Sequence, residues 1–503
     1  MNQIRTGVVL NYIIIGINAA VGLLYTPYML RVMGQSEYGL FSLVASIIAY
    51  LTILDFGFGN AIVRYTAKLR AENKITEQYE MFGMFMILFS IIGLLAFCVG
   101  LGLYFNTESL FGGSMTSEEL SKAKILIIIL LVNLALTFPL STYGAIISAY
   151  EHFVFQKMAQ IARIVLSTAM MIAVLNIGYK AIGLAVVQTA FNITFLIANA
   201  IYCYRKLRVR FIFSRGIWKN FNEILSYSFW IFLAAITEQF YWNSGQWALG
   251  IYQGTRMVAI FTLAIQLKGM YMLFSSAISS VFLPKVTRMV TTHASTGDIS
   301  NLFIKTGRIQ YAIISFIIAG FVIFGRSFIE LWVGTDYMPV YYIVLMIFVC
   351  TAIQAIQNLG NSILMAYNRM KKKTVIVVLA SLLSFIAIFP CAKYWGAVGC
   401  SVPIFLCIIV TYGPILNRMY ARTIGVDVCR FWIEIIRMSV TPAIFIVVGL
   451  LAQSYIHAVN WCGFVLGITV FTVLYMSVAY RLSLNDSERQ LLYSIFTKFK
   501  LTR

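Results

Sequence analysis

Four ionisable side chains lie well inside long apolar runs of this sequence: Asp55, Arg163, Glu238 and Lys268. A charge at the centre of a membrane-spanning helix costs at least about 2.5–3.5 kcal/mol, so such residues usually face a cavity or pair with one another. The four therefore indicate either a site for charged cargo or coupling ions, or structural ion pairs that tolerate burial.

Two further basic residues, Arg64 and Arg256, lie nearer the ends of apolar runs. A long side chain at such a depth can snorkel to the lipid headgroups, so each is either a site residue or an interfacial anchor. The three histidines are too scattered to predict a metal site, and the chain has no G-x-x-x-x-G-K-[ST] loop for ATP. We expect no bound cofactor and no use of ATP, with proton or sodium coupling as a candidate energy source.

The spacing of the four central charges predicts two pairs. Glu238 and Lys268 lie equally far from the turn Tyr252–Thr255, at a depth of about 22 Å for a rise of 1.5 Å per residue. We expect them to approach one another or to share a cavity. Asp55 and Arg163 lie roughly 14–16 Å from the inner surface at the same rise, and could pair if helices two and five are neighbours.

The elements that carry these charges are membrane-spanning helices. Of the 503 residues, 60% are hydrophobic and 11% are charged, against about 25% charged in soluble domains. The fold class predicted is an all-α integral membrane protein of about 14 transmembrane helices, each needing about 20 apolar residues. The apolar segments are roughly 7–32, 38–63, 81–105, 123–148, 153–176, 180–204, 223–247, 254–284, 308–333, 339–366, 374–392, 395–417, 433–455 and 460–480.

The net charge is +20, and most of the basic residues lie in the loops between these predicted helices. With the N-terminus inside, 30 of the 38 Lys and Arg residues fall on the cytoplasmic side, and Lys268 lies in mid-helix. This pattern predicts a cytoplasmic membrane protein with both termini in the cytoplasm, and it removes the need for a nucleic-acid partner. The predicted outer basic residues are Arg31, Lys122, Lys124, Lys180, Arg256, Arg326 and Lys393.

A faint repeat at an offset of 220 residues matches Gly34, Phe41 and Leu43 with Gly254, Phe261 and Leu263. An offset of six helices preserves orientation and predicts parallel repeats related by an axis along the membrane normal. Two stretches look interfacial, the basic run Lys206–Lys219 and a tail with apolar Leu491, Leu492, Ile495, Phe496 and Phe499. The basic run is either a contact with lipid headgroups or a topology signal, and the tail is either a partner-binding helix or a membrane anchor.

Three stretches resemble bacterial polysaccharide-export flippases: Tyr25–Phe41, Leu54–Tyr65 and Leu283–Arg288. This family belongs to the multidrug/oligosaccharidyl-lipid/polysaccharide exporter group. The resemblance implies two six-helix lobes around a central cavity, followed by two more helices. On this chain the implied parts are an N-terminal lobe 1–204, a basic linker 205–222, a C-terminal lobe 223–418, helices 13 and 14 in 419–480, and an amphipathic tail 481–503.

The resemblance also implies a function, which is transfer of undecaprenyl-pyrophosphate-linked oligosaccharide from the inner to the outer leaflet by alternating access. Polysaccharide polymerase machinery is then a candidate partner. Basic groups can replace water around the cargo's phosphates, and we assign that role to Arg64, Arg163, Lys268 and Arg256. Asp55 and Glu238 become partners of these residues or coupling-ion groups.

Two other functions fit the same composition. A multidrug and toxin extruder takes cationic cargo with buried carboxylates, which Asp55 and Glu238 would suit. A membrane polysaccharide polymerase is the enzymatic alternative. The acidic residues of the longest predicted outer loop, Phe105–Lys122, are three glutamates, and they form no recognisable catalytic set. The chain is therefore predicted not to be an enzyme.

The predicted topology is testable by cysteine accessibility. In a variant without its eight native cysteines, Asn73→Cys should react only after the membrane is permeabilised, because it lies in a predicted cytoplasmic loop. Gly113→Cys, in a predicted outer loop, should react in intact cells and serves as the matched control. Labelling of Asn73→Cys in intact cells would contradict the orientation.

Overall fold

The computed structural model describes residues 3–214, 221–292, 294–367, 369–451, 460–486 and 488–490. These residues form α-helices joined by short turns, and no strand occurs within these ranges. The first ten helices are α1 Gln3–Met33, α2 Gln35–Leu51, α3 Phe58–Ala71, α4 Ile75–Phe111, α5 Ser117–Ala149, α6 Phe153–Asn176, α7 Ala181–Tyr202, α8 Phe221–Trp242, α9 Ser244–Tyr252 and α10 Thr255–Thr291. The others are α11 Thr296–Trp332, α12 Pro339–Ile356, α13 Leu359–Ala366, α14 Met370–Val410, α15 Leu416–Ile424, α16 Val428–Met438, α17 Val440–Leu451 and α18 Trp461–Leu482.

The all-α membrane fold is confirmed. Twelve helical spans in the described residues are long and apolar enough to cross a membrane. The longest, Met370–Ile424, contains two of the predicted segments, and its chain changes direction at Gly396, where φ is 60° and ψ is −145°. The number of fourteen transmembrane helices remains a prediction. Residues 215–220 of the basic linker and the apolar tail residues from 491 onward lie outside the described ranges.

Contacts divide the chain into two compact units. The first contains residues 1–262 and 385–397, and the second contains 263–384 and 398–503. The predicted lobes place residues 223–262 in the C-terminal half instead. Residues 223–262 group with the first unit in this one conformation. A grouping from a single conformation does not test which parts move together, so the lobe boundaries remain a prediction.

Glycines make the two turns that the 220-residue offset relates. Gly34 precedes α2 with a φ of 86°, and Gly254 precedes α10 with a φ of 80°, a region that residues with a Cβ rarely enter. Within the first unit the second turn packs on α2, so closely that a Cβ on Gly39 would lie 1.8 Å from the Thr255 carbonyl oxygen. The two matched turns thus share a glycine with positive φ. The close packing of the second turn on α2 requires glycine at position 39.

The segment from Thr52 to Gly57 interrupts the second predicted helix. A 3₁₀ turn covers Thr52–Asp55, and both Phe56 and Gly57 then adopt left-handed conformations before α3 begins at Phe58. The glycines in Asp55–Asn60 permit either such a bend or plain helix packing. Gly57 takes the non-helical backbone, whereas Gly59 lies within α3. Asp55 is therefore carried on irregular backbone at the level of an apolar span.

In the second unit, Arg308 on α11 is the centre of a buried ion cluster. Its Nε donates to Glu488 Oε1 at 2.7 Å and its Nη1 to Glu434 Oε2 at 2.5 Å. The Arg308 side chain is only 5% exposed, and Nη2 also donates to the Ser483 carbonyl at 3.1 Å. This cluster fastens α16 and the segment after α18 to α11. The sequence indicated Arg308 only as one of the cytoplasmic basic residues.

Removing the arginine should destabilise the second unit. Arg308→Met leaves the largely buried Glu488 carboxylate without its cation, a change that typically costs about 3–5 kcal/mol. Glu434 keeps its contact with the exposed Arg437. We expect a clearly lower unfolding temperature in detergent, measured by intrinsic fluorescence. Lys74→Met, which removes a solvent-exposed pair with Glu72, is the matched control and should leave that temperature unchanged. Equal unfolding temperatures for the two variants would contradict this role for Arg308.

Candidate functional site

Arg163 is held by a chain of hydrogen bonds between three helices of the first unit. Its Nη1 donates to Asn192 Oδ1 on α7 at 2.8 Å. Asn192 Nδ2 in turn donates to Asn133 Oδ1 at 2.8 Å and to Thr137 Oγ1 at 2.9 Å, both on α5. All of these residues lie near the middle of their helices, so the network crosses the unit at mid-membrane depth.

The network fixes the orientation of the Asn192 amide. Both hydrogens of Nδ2 have acceptors, so the carbonyl oxygen must point toward Arg163. The half-buried guanidinium also lies 5.0 Å from the centroid of the Phe195 ring. A cation held by an amide and a ring keeps its full positive charge, because neither partner carries a neutralising negative charge.

Arg163 retains hydrogen-bonding capacity. A guanidinium has five N–H donors in a planar fork, and Asn192 accepts from only one of its nitrogens. Within the described residues no carboxylate pairs with Arg163. Its remaining donors suit the oxygens of a phosphate or a carboxylate, which they can bind in bidentate geometry.

The structure does not pair Arg163 with Asp55. Asn192 is the hydrogen-bonding partner of the arginine, whereas the half-buried Asp55 carboxylate makes no hydrogen bond or ion pair in the described part of the chain. The sequence left this pairing open because it depends on which helices are neighbours. An unpaired carboxylate at this depth remains a candidate for a proton or a sodium ion.

The other predicted site residues lie apart from Arg163. Arg64 is exposed on α3, with its guanidinium carbon 5.9 Å from the centroid of the Tyr65 ring, and Arg256 is exposed at the start of α10. Lys268 is half-buried on α10. Glu238 is exposed on α8 and belongs to the first unit, whereas Lys268 belongs to the second. The approach of Glu238 to Lys268 therefore remains a prediction.

A second polar cluster ties the turn before α10 to the rest of the first unit. The Glu119 carboxylate accepts hydrogen bonds from Ser36, at the start of α2, and from Thr255 Oγ1 at 2.7 Å. Ser36 Oγ and Thr255 Oγ1 are themselves 2.8 Å apart. Glu119 also closes a capping box with Thr116 at the start of α5. One carboxylate thus joins three helix starts.

Sequence reasoning missed the neutral members of both clusters. Asn133, Thr137 and Asn192 carry no charge, so they do not stand out in apolar segments as Arg163 does. The available signal was an amide or hydroxyl near the centre of each segment, since buried polar groups need partners in a membrane. Glu119 was noted only as one of the glutamates of an outer loop.

Comparisons with known proteins agree on the family and the fold. The family described as "Polysaccharide biosynthesis protein" matches residues 4–290. Two relatives named "Putative O-antigen transporter" are 28% identical over 78 residues in Salmonella typhimurium (strain LT2) and 26% identical over 74 in Salmonella typhi. These alignments cover 16% and 15% of this chain, and only 18% and 17% of the relatives' own lengths.

Among solved structures, an inward-facing multidrug resistance transporter of the MATE family, in the MOP superfamily, matches with a TM-score of 0.62. It is 14% identical, and the match covers 82% of this chain and 95% of that one. A MOP-superfamily transporter from Pyrococcus furiosus, described as having a binding pocket of reversed polarity, matches with a TM-score of 0.53 at 14% identity over 83% and 96% of the two chains. The chain therefore has the MATE-like transporter fold.

The Asn192 network should contribute measurably to stability. Asn192→Ala leaves Arg163, Asn133 and Thr137 without a shared partner, and an unsatisfied buried polar group costs about 1–3 kcal/mol. We expect a lower unfolding temperature of the purified protein. Thr194→Ala on the same helix is the matched control, because its hydroxyl bonds only the carbonyl of Ala190 in its own helix. An unchanged unfolding temperature for Asn192→Ala would mean that the network is not formed.

Proposed function

Because the chain belongs to the polysaccharide biosynthesis protein family and has a transporter fold, we propose that it flips undecaprenyl-pyrophosphate-linked oligosaccharide across the membrane. The cargo would move from the inner to the outer leaflet for surface polysaccharide assembly. Family and fold indicate a multi-pass membrane transporter rather than an enzyme. The identity of the cargo and the direction of its movement are the proposal.

The observation that carries the proposal is the state of Arg163. Its guanidinium lies at mid-membrane depth, is held by a neutral amide and has donors left for a ligand. Placing a cation there without a carboxylate is costly, and an anionic ligand in transit would offset that cost. Pyrophosphate supplies several oxygens to which a planar fork can donate bidentately. Arg64, Arg256 and Lys268 are proposed as additional contacts for the headgroup.

Alternating access would carry the headgroup past Arg163 while the isoprenoid chain stays in the bilayer. The two proposed lobes, 1–204 and 223–418, would rock against each other around the site. Asp55 is the proposed coupling group, because its carboxylate has no partner among the described residues and lies beside an interrupted helix. Glu238 is the second proposed coupling group, and either site would take a proton or a sodium ion.

The competing proposal is a cation extruder. Asp55 favours it, because an unpaired carboxylate suits a cationic drug as well as it suits a coupling ion. Arg163 disfavours it, because a fully charged guanidinium near the pathway would repel cationic cargo. The two proposals therefore make opposite predictions for the charge of the ligand.

The decisive experiment removes the gene and follows undecaprenyl-linked intermediates. We expect loss of surface polysaccharide and accumulation of lipid-linked repeat units on the inner leaflet, restored by the wild-type gene. Arg163→Gln should reduce restoration by about tenfold or more, since charge-assisted hydrogen bonds to phosphate are strong. Arg163→Lys should restore partly, because it keeps the charge but loses the fork. Membrane levels of each variant are compared by immunoblot.

Lys157→Gln is the matched control on the same helix, where the lysine bonds Asn11 near the helix start. It should restore surface polysaccharide fully. Normal polysaccharide in the deletion strain, or full restoration by Arg163→Gln, would overturn the proposal. Purified protein in liposomes should bind a lipid-linked anionic sugar, and binding of cationic dyes in its place would support the extruder.

A further inference from the structure

The stretch between Asp336 and Asp427 contains no acidic residue. Six of its seven basic residues cluster at two places, just before or within the first turn of α14 and along α15: Arg369, Lys371, Lys372, Lys373, Arg418 and Arg422. The seventh, Lys393, lies one helix length away. A run of charge of one sign beside a membrane span attracts anionic lipid headgroups.

The structure brings the two basic groups together in the second unit. Arg369 Nη1 donates to the Thr423 carbonyl oxygen at 2.8 Å, which fixes the start of α14 against the end of α15. The side chains of Lys371, Lys372, Arg418 and Arg422 are all exposed around this junction. This end of the helix pair is the side that the positive-charge pattern predicts to be cytoplasmic. We call these six residues the basic rim.

Lys373 differs from its neighbours because it points inward. It is only 6% exposed, and its ammonium lies 5.7 Å from the centroid of the Tyr412 ring. In the described part of the chain it makes no ion pair. An ammonium held only by a ring has lost most of its hydration without gaining a negative partner. The ammonium of Lys373 can therefore bind an anion that the described part of the chain does not supply.

An apolar groove of about 490 Å³ begins beside Lys373. One wall is formed by Ile376, Leu379 and Leu383 of α14, and the other includes Leu406, Val410 and Thr411. Ile376 lies one turn from Lys373, and Thr411 is the chain neighbour of Tyr412. Leu379 and Leu383 are each 62% exposed, so the groove opens outward, where a membrane span meets lipid.

We propose that this groove and the basic rim bind one anionic phospholipid from the leaflet at the basic end. The lipid phosphate would lie among the rim residues with Lys373 as its innermost contact, and one acyl chain would fill the groove. Charge complementarity selects the occupant, because six bases without an acid favour an anionic headgroup over a zwitterionic one. The groove's volume lies within the range of about 300–1,000 Å³ typical of small-molecule sites.

The proposal is tested on the purified full-length chain by native mass spectrometry. The delipidated protein is titrated with phosphatidylglycerol and, separately, with phosphatidylcholine of the same acyl chains. We expect one phosphatidylglycerol to be retained about tenfold more strongly than phosphatidylcholine. Lys373→Gln should weaken this retention about fivefold, and Ala380→Phe should weaken it by filling the groove that Ala380 lines. Lys373→Arg should retain the lipid.

Lys393→Gln is the matched control, because it removes one charge from the far end of the same helix pair. It should leave retention unchanged. Equal retention of the two lipids, or Lys373→Gln behaving as wild type, would overturn the proposal. Loss of retention in Lys371→Gln and Lys372→Gln, but not in Lys373→Gln, would mean that exposed charges attract the lipid without a defined site, and would also contradict the proposal. Preferred retention of a polyprenyl phosphate would identify the occupant as cargo and would equally contradict a phospholipid site.

Discussion

The cost of a charge in a low-dielectric environment is the constraint on which this structure depends. Two buried cations and one half-buried cation are stabilised in three different ways. Arg308 pairs with two carboxylates, Arg163 bonds a neutral amide, and Lys373 lies over an aromatic ring. Pairing with acids neutralises the charge and leaves little capacity for a ligand. A neutral amide or an aromatic ring leaves the positive charge available. A buried cation with acidic partners is therefore structural, whereas one with neutral partners is a candidate for ligand binding.

Much of the fold could be predicted from sequence because the bilayer forces a simple pattern. Apolar runs give the helices, and the glycines at positions 34 and 254 correctly mark two tight turns. The interruption at Thr52–Gly57 falls where Gly57 permits a bend. The partner of Arg163 could not be predicted, because it depends on which helix faces lie together. Arg308 shows the same limit, since its two glutamates are 126 and 180 residues away.

The candidate sites divide along the same line. Sequence reasoning found the ionisable residues, since each is rare in an apolar segment, but it could not rank them. Packing ranks them by burial and partner: Arg163 and Asp55 are half-buried, whereas Arg64, Arg256 and Glu238 are exposed. Lys373 was counted only among the cytoplasmic bases, because three successive lysines look alike in sequence. Only the helix phase shows that the third of them faces inward.

The interruption between α2 and α3 has a mechanical consequence. The successive left-handed residues Phe56 and Gly57 break the helical hydrogen-bond pattern. A rotation of α2 is therefore not transmitted rigidly to α3. α2 and α3 both pack on α5, but α2 also packs on α1, α7 and α9, whereas α3 also packs on α4 and α8. Beyond α5, the two helices therefore have largely different neighbours. A spectroscopic label at Lys68 on α3 would then be a poor reporter of tilt at Tyr38 on α2.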